Sequence, residues 1–398
     1  MLKCDFHTYV DSFIDKSRYE QLMSQKYQVI ESFNKCDSIG WINVPDETLI
    51  QKIIDTATYI KKNFDCFVVI GIGGSFLGSY AFDKIFQNYF KSKDFEILYA
   101  GTTLSSKYLD ELLEYLQDKN FVLNVISKSG TTMETTITYQ LLKDLLKRKY
   151  GEDYKNHIIV TTDKEKGSLR EEVRENGYIS FEIPEDIGGR YSFITPAHLL
   201  PLALHYDLTN IIKGYNRGKR LLDEAYEYAV IRHLMFESSK VVENFCLYEE
   251  NMAFFGEWLK QLFGETEGKN KLGILPMSTI HTRDLHSLGQ FIQEGNKILF
   301  ETFIKIEDSS HYIPYQKQSL HDVNNIVEDS VVKAHYSGGV PCIEFVLDEM
   351  NEENLSSFIY FFQLAAAFSG LLFHVNPFNQ PGVEVYKNEV RNSLEEIL

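Results

Sequence analysis

Between residues 127 and 135 the chain reads SKSGTTMET, directly after the apolar run FVLNVI. Ser127, Ser129, Thr131 and Thr132 set hydroxyls around Gly130, with Lys128 among them. Small neutral donors at the start of a helix suit a phosphate, because backbone N–H groups point outward there and the helix dipole favours an anion. One Ser or Thr in such a place is an ordinary N-cap, and four are more than capping requires. A second loop, GIGGSFLGS at 71–79, carries Gly74 and Ser75 and also follows an apolar run. It fits neither nucleotide fingerprint: Phe76 stands where GxGxxG needs glycine, and Ser79 follows Gly78 where GxxxxGK[ST] needs lysine. What is left is a strand, a tight turn, a serine and a helix start. That is either an anion cradle or a turn of purely structural use. Two such loops on neighbouring strands would hold a phosphate without a nucleotide, which points to a phosphorylated small metabolite such as a sugar.

Further along, EDIGGRYSFITP (185–196) sets Arg190 after two glycines that allow a close backbone approach, before Thr195 and Pro196 as N-cap and first helical residue. An arginine there is either a solvated charge or a clamp for an oxyanion. QLFGETEGKN (261–270) offers Gln261, Glu265 and Glu267. The two acids, two apart, point different ways on a helix, so only one can reach a given pocket, and surface acids are the bland alternative. HTRDLHSLGQ (281–290) has two histidines, but not in HExxH spacing and with no third ligand in view. NPFNQPGVEVYKN (376–388) brings Gln380, Glu384 and Lys387 near the C-terminus, where a surface tail is the simpler reading.

These residues need a scaffold. CFVVIGIG (66–73), FVLNVIS (121–127) and HIIVTT (157–162) read as buried parallel strands, with helical patterns between them at 105–117 and 135–150. That alternation predicts a doubly wound α/β sheet. A helix opening at TPAHLLPLAL, a long helix near 218–243 and strands at 271–278, 296–306 and 342–348 predict a second sheet. Ligands in such sheets sit beyond the carboxyl ends of the strands. The run LSSFIYFFQLAAAFSGLLF (355–373) is apolar enough to raise a membrane span. Interrupting Ser, Gln and Gly, and acids instead of Lys or Arg at its front, favour a buried core helix.

Composition bounds the function. Of 398 residues 44% are hydrophobic and 14% aromatic, enough for a sizeable core. The net charge of −17 argues against a nucleic-acid partner, and it requires any anion site to concentrate positive potential locally. The five scattered cysteines form no CxxC pair and no metal-spaced cluster, so they read as reduced thiols of a cytoplasmic protein without a bound metal. The first residues, MLKCDFHTYVDSFIDK, lack the apolar core of a signal peptide.

Taken together, GIGGS, SKSGTT, IGGRYSF, KQLFGETEGK, HSLGQ and GLLFHVNPFNQPGVEVYK resemble, in order, the motifs of the glucose-6-phosphate isomerase (phosphoglucose isomerase) family, in its shorter bacterial form. The resemblance implies two SIS-type α/β/α sandwich domains with mainly parallel sheets. The first would span 45–185, and the larger second 1–44 plus 186–398. It implies reversible isomerisation of glucose 6-phosphate and fructose 6-phosphate through a cis-enediolate, in glycolysis and gluconeogenesis, with no cofactor. Gly74, Ser75, Ser127, Ser129 and Thr132 would bind the phosphate with Lys128 beside them. Glu265 would be the proton-transferring base, with Glu267 next in line. Arg190 would stabilise the enediolate, and His286 and Lys387 would assist ring opening. Gln261 and Gln380 would be polar contacts. The family's homodimer would supply His286 from the partner subunit, and no membrane is implied. One position departs from the pattern: His198 stands where the family usually has glycine. A metal-assisted hydride shift would need a carboxylate/His cage that the sequence does not show. A non-catalytic sugar-phosphate sensor could dispense with Glu265 or Lys387, and both are present. An amidotransferase isomerase would need a glutaminase half, which is lacking.

Overall fold

The computed structural model describes residues 2–91, 93–130 and 132–395. They form two units, Asp37–Asn216 and Met1–Cys36 together with Arg217–Leu398. After an opening strand, β1 (Leu2–Tyr9), that belongs to the second unit, the chain builds its first sheet. The strands are β2 (Cys66–Ile70), β3 (Glu96–Ala100), β4 (Phe121–Ile126), β5 (Ile158–Thr162) and β6 (Ile179–Glu182). All pair in parallel, in the order β3-β2-β4-β5-β6. Every residue of β2, β4 and β5 is buried, as strands covered by helices on both faces must be. The strand order reverses between β2 and β4, and Ile70 pairs with Val125. The glycine loop and the hydroxyl loop therefore leave the sheet side by side at its switch point, where doubly wound sheets take ligands. The expected helices at 105–117 and 135–150 are present as Ser106–Gln117 and Met133–Tyr150.

Residues 186–216 were expected with the second sheet, and 37–44 likewise; both pack in the first unit instead. The cause is apolar. Tyr191, Phe193, Ile194, Ala197, Leu199, Leu200 and Leu202 are all buried, so this segment needs cover on every side. Its 3-10 turn, Gly189–Ile194, lies against the turn Gly73–Ser75. Its helix, Pro196–Ala203, packs on the helices Glu47–Asn63 and Leu77–Ile85. Trp41 stacks on Tyr191 at 5.1 Å, and the Gly40 N–H donates to the Asp186 carbonyl at 3.1 Å.

The second sheet adds β7 (Val242–Leu247), β8 (Leu275–Ile280), β9 (Leu299–Asp308) and, after the small hairpin β10 (Pro314–Tyr315) and β11 (Gln318–Ser319), β12 (Cys342–Glu349). The order is β1-β12-β9-β7-β8, parallel except for β1, which runs antiparallel to β12 with Leu2 opposite Leu347. The long helix expected near 218–243 is Leu222–Glu237. The apolar run at 355–373 forms the helix Glu352–Leu372, long and apolar enough to cross a membrane, yet 94% buried over its most apolar stretch. It packs on the helices Leu222–Glu237, Ala253–Glu267 and Lys26–Asn34 as the core of this unit.

A charged group lies deep in that core. Arg232 donates to Glu243 at 2.7 Å, to Glu267, and to the Ser369 hydroxyl at 2.8 Å, with its guanidinium 4.0 Å over the Phe263 ring. Removing one member of such a buried network strands the others without a counter-charge and costs about 3–5 kcal/mol.

Candidate active site

The hydroxyl loop starts where β4 ends. The Ser127 hydroxyl accepts from the Gly130 N–H at 3.0 Å, closing a tight turn. Gly130 has φ +71°, and a Cβ there would come within 2.6 Å of the Ser168 hydroxyl, so the turn admits only glycine. Ser127 is buried and Ser129 is exposed. Thr132 is the N-cap of the helix Met133–Tyr150, yet its side chain makes no capping bond. Thr131 lies outside the described residues. The Lys128 amine donates to the carbonyls of Pro184, Glu185 and Ile187 at 3.1, 2.9 and 3.4 Å. It is thus tied down by the 184–187 segment and reaches the loop as charge, not as a freely aimed donor.

The glycine loop is held from the other side. Gly74 touches Gly189: a Cβ on Gly74 would lie 2.1 Å from the Gly189 carbonyl carbon. Ser75 is half-buried in the turn Gly73–Ser75, just before the helix Leu77–Ile85. Arg190, 2% exposed, follows Gly189, with its guanidinium 5.5 Å from the Tyr191 ring centre. Within the first unit the fold therefore sets the turn of Gly74 and Ser75 and the hydroxyl loop on adjoining strand ends, with the turn that carries Arg190 packed against the former.

The other unit carries the acids. Gln261 and Glu265 lie one turn apart on the helix Ala253–Glu267, and the Gln261 amide donates to Glu265 at 3.2 Å. Glu265 is half-buried. Glu267, the fallback base, is excluded by its surroundings: it is fully buried, bonded to Arg232, and accepts from the Ile274 N–H at 3.4 Å. Burial pushes its carboxyl up, against the pull of Arg232. His286 is exposed on the first turn of the helix Leu285–Glu294. Lys387 is exposed on the helix Gly382–Glu395 and pairs with Glu384 at 3.0 Å, and Gln380 is exposed just before it. His286, Gln380 and Lys387 are thus open to solvent, whereas Glu265 is half-buried.

The fold also forms a cluster that the sequence reading did not anticipate. Cys246, His281 and Glu301 place their ligand-type atoms within 4.8 Å of one another, all buried. The sequence hides this because the three are far apart in the chain; β7 lies between β8 and β9 and puts them on one face. Each is already engaged. Glu301 accepts from Asn244 at 3.0 Å and Cys246 at 3.3 Å and meets His335 at 2.6 Å. His281 meets the Thr279 hydroxyl at 3.1 Å and the Tyr248 hydroxyl at 3.4 Å. Burial pushes His281 down to about 4. These groups satisfy one another, so the cluster reads as a buried polar network whose hydrogen bonds require no ion.

The doubly wound first sheet, with glycine- and hydroxyl-bearing loops at its switch point, is of the SIS-type α/β fold class. The structure superimposes on a hypothetical protein from Thermus thermophilus with a TM-score of 0.87, at 25% identity, covering 99% of this chain and all of that one. It superimposes on a glucose-6-phosphate isomerase from Chlamydia trachomatis with a TM-score of 0.79, at 19% identity, over 91% of this chain and 78% of that one. In sequence it is 43% identical over 415 aligned positions to glucose-6-phosphate isomerase of Mycoplasmopsis pulmonis, covering 96% of this chain and 97% of the relative. The phosphoglucose isomerase family model matches residues 47–321, and the chain belongs to that family.

Proposed function

We propose that this chain interconverts glucose 6-phosphate and fructose 6-phosphate in the cytoplasm, as a homodimer. The observation that carries the mechanism is the contrast between two neighbouring acids. Glu267 is consumed by Arg232, whereas Glu265 stands half-buried with Gln261 steering its carboxylate.

The chemistry follows from these groups. Ser75, Ser127, Ser129 and Thr132 hold the phosphate, with Lys128 adding charge, so binding energy far from the reacting carbons keeps the open-chain sugar in register. Ring opening delivers a proton to the ring oxygen and takes one from the C1 hydroxyl; Lys387 and the partner subunit's His286 serve these transfers. Glu265 then removes the proton from C2 and the aldehyde oxygen takes up the negative charge of the enediolate; the C2 hydroxyl proton passes to that oxygen, and Glu265 returns its proton to C1 as the C2 carbonyl forms. Arg190 faces the charge as it grows, an interaction worth most in the transition state. Gln261 and Gln380 contact the sugar hydroxyls.

A coupled assay tests this: fructose 6-phosphate is supplied and glucose 6-phosphate is detected with its dehydrogenase. Glu265→Gln should abolish turnover while phosphate-dependent binding persists. Arg190→Ala should lower kcat by a factor of about 10² or more. Residual proton exchange at C2 in Glu265→Gln, or an Arg190→Ala loss confined to KM, would overturn these assignments. Loss of activity in chelator would revive a metal route.

A further inference from the structure

His198 is a departure from the family pattern, and its surroundings give it work. It lies on the helix Pro196–Ala203, 1% exposed. Its Nε2 meets the Gly74 carbonyl at 2.7 Å and the Ser192 hydroxyl at 3.1 Å. Its Nδ1 accepts from the Ser79 N–H at 3.0 Å and lies 3.2 Å from the Ser79 hydroxyl. The partners assign the tautomer. A carbonyl can only accept, so the ring proton is on Nε2; an N–H can only donate, so Nδ1 carries the lone pair.

The two anchor points bracket the glycine loop. Gly74 lies in its turn, directly before Ser75, and Ser79 is the third residue of the helix Leu77–Ile85. That helix has no side-chain cap of its own, since Phe76 occupies the N-cap. His198 thus satisfies one of its orphan N–H groups from another helix, while its other edge fixes the carbonyl next to Ser75. The Ser192 hydroxyl extends the tie, with the Gly74 and Gly189 carbonyls 3.0 and 2.7 Å away. The same clasp therefore joins the turn that carries Ser75 to the turn that carries Arg190. Gly78 makes room for it, since a Cβ there would lie 3.1 Å from the imidazole.

We propose that His198 is a positioning residue for the substrate's phosphate: as a neutral imidazole it clasps the 74–79 loop and sets Ser75 against the Arg190 turn. This rests on the reading of that loop as a phosphate contact. Burial agrees with the neutral form, holding the ring down at about 4.

The test compares His198→Leu, His198→Gln, Ser192→Ala and Ser75→Ala, reading KM for fructose 6-phosphate, kcat, inhibition by inorganic phosphate, and the unfolding midpoint. A loosened clasp should raise KM and the phosphate inhibition constant together in His198→Leu, by roughly tenfold, with kcat changed by less than about threefold. His198→Gln, whose amide N–H reaches the place of Nε2, should recover most of that loss, and Ser192→Ala should show a smaller loss of the same kind. A purely structural histidine would lower the midpoint and leave the inhibition constant unmoved, which would overturn the proposal. If Ser75→Ala leaves phosphate inhibition unchanged, the loop does not bind phosphate and both readings fall. If Ser75→Ala weakens it and the His198 and Ser192 variants do not, only the role of His198 falls. Should His198→Leu not fold, His198→Gln and Ser192→Ala decide the matter.

Discussion

At the scale of single residues, burial decides what an acid can do. Glu265 and Glu267 share a motif, yet one turns toward Gln261 and the other into a fully buried pairing with Arg232. Glu328 is a third case. It is 1% exposed on the helix Leu320–Ser337, Oε1 has no hydrogen-bond partner among the described residues, and burial pushes the carboxyl up to about 8. The sign follows. Between its ordinary 4.5 and about 8, the folded chain holds a proton that the unfolded chain lacks, so this group's contribution to stability falls as pH rises through that window. Glu328→Gln should therefore raise the unfolding free energy at pH 8, on the order of 1–2 kcal/mol, with little gain near pH 4. Denaturant titrations at both pH values check this, and an equal gain at both would refute it. The motif residues were legible in the sequence because their types are chemically unusual together. Which of two acids faces a ligand was not legible, because that depends on Arg232, far back in the chain and silent in any motif.

Among the elements, the contact between two turns carries the most weight. The Gly73–Ser75 and Gly189–Ile194 turns meet glycine to glycine, but the contact is lopsided. A Cβ on Gly74 would lie 2.1 Å from Gly189 backbone, whereas a Cβ on Gly189 would find its nearest neighbour at 3.6 Å, an ordinary contact. Gly74→Ala should drive the turns apart and cost at least tenfold in kcat/KM, while Gly189→Ala should fold and keep most of its activity. Side-by-side kinetics with unfolding midpoints would show it, and equal losses would contradict the geometry. Strands β2, β4 and β5 were readable because complete burial leaves continuous apolar runs, whereas β3 and β6, only partly buried, leave no such run. The 186–216 segment was misplaced because its burial, though plain in composition, does not say which sheet it covers. Strand β1 was missed altogether: only Phe6 of its eight residues is buried, as suits an edge strand, so neither an apolar run nor a clean alternation marks it.

For the whole molecule, the proposed roles fall on both units: the proposed phosphate donors and Arg190 in one, Glu265, His286 and Lys387 in the other. If His286 serves the partner's site, complementation follows. Mixing inactive Glu265→Gln with inactive His286→Ala under conditions of subunit exchange should restore roughly a quarter of wild-type activity, since half the dimers are mixed and one of their two sites is intact. No recovery, with mixed dimers demonstrated by mass, would place His286 in its own subunit's site.

The antiparallel pairing of β1 with β12 also bears on how the chain is made. Leu2 leaves the ribosome early, and its partner Leu347 follows more than three hundred residues later. At about 5–20 residues per second that interval lasts some tens of seconds. The sheet of Asp37–Asn216 is a single stretch of chain and can close during that interval. The opening strand, Cys4 included, must wait unpaired, so a nascent chain stalled before residue 342 should offer a Cys4 thiol more reactive than that of the finished protein, where it is half-buried.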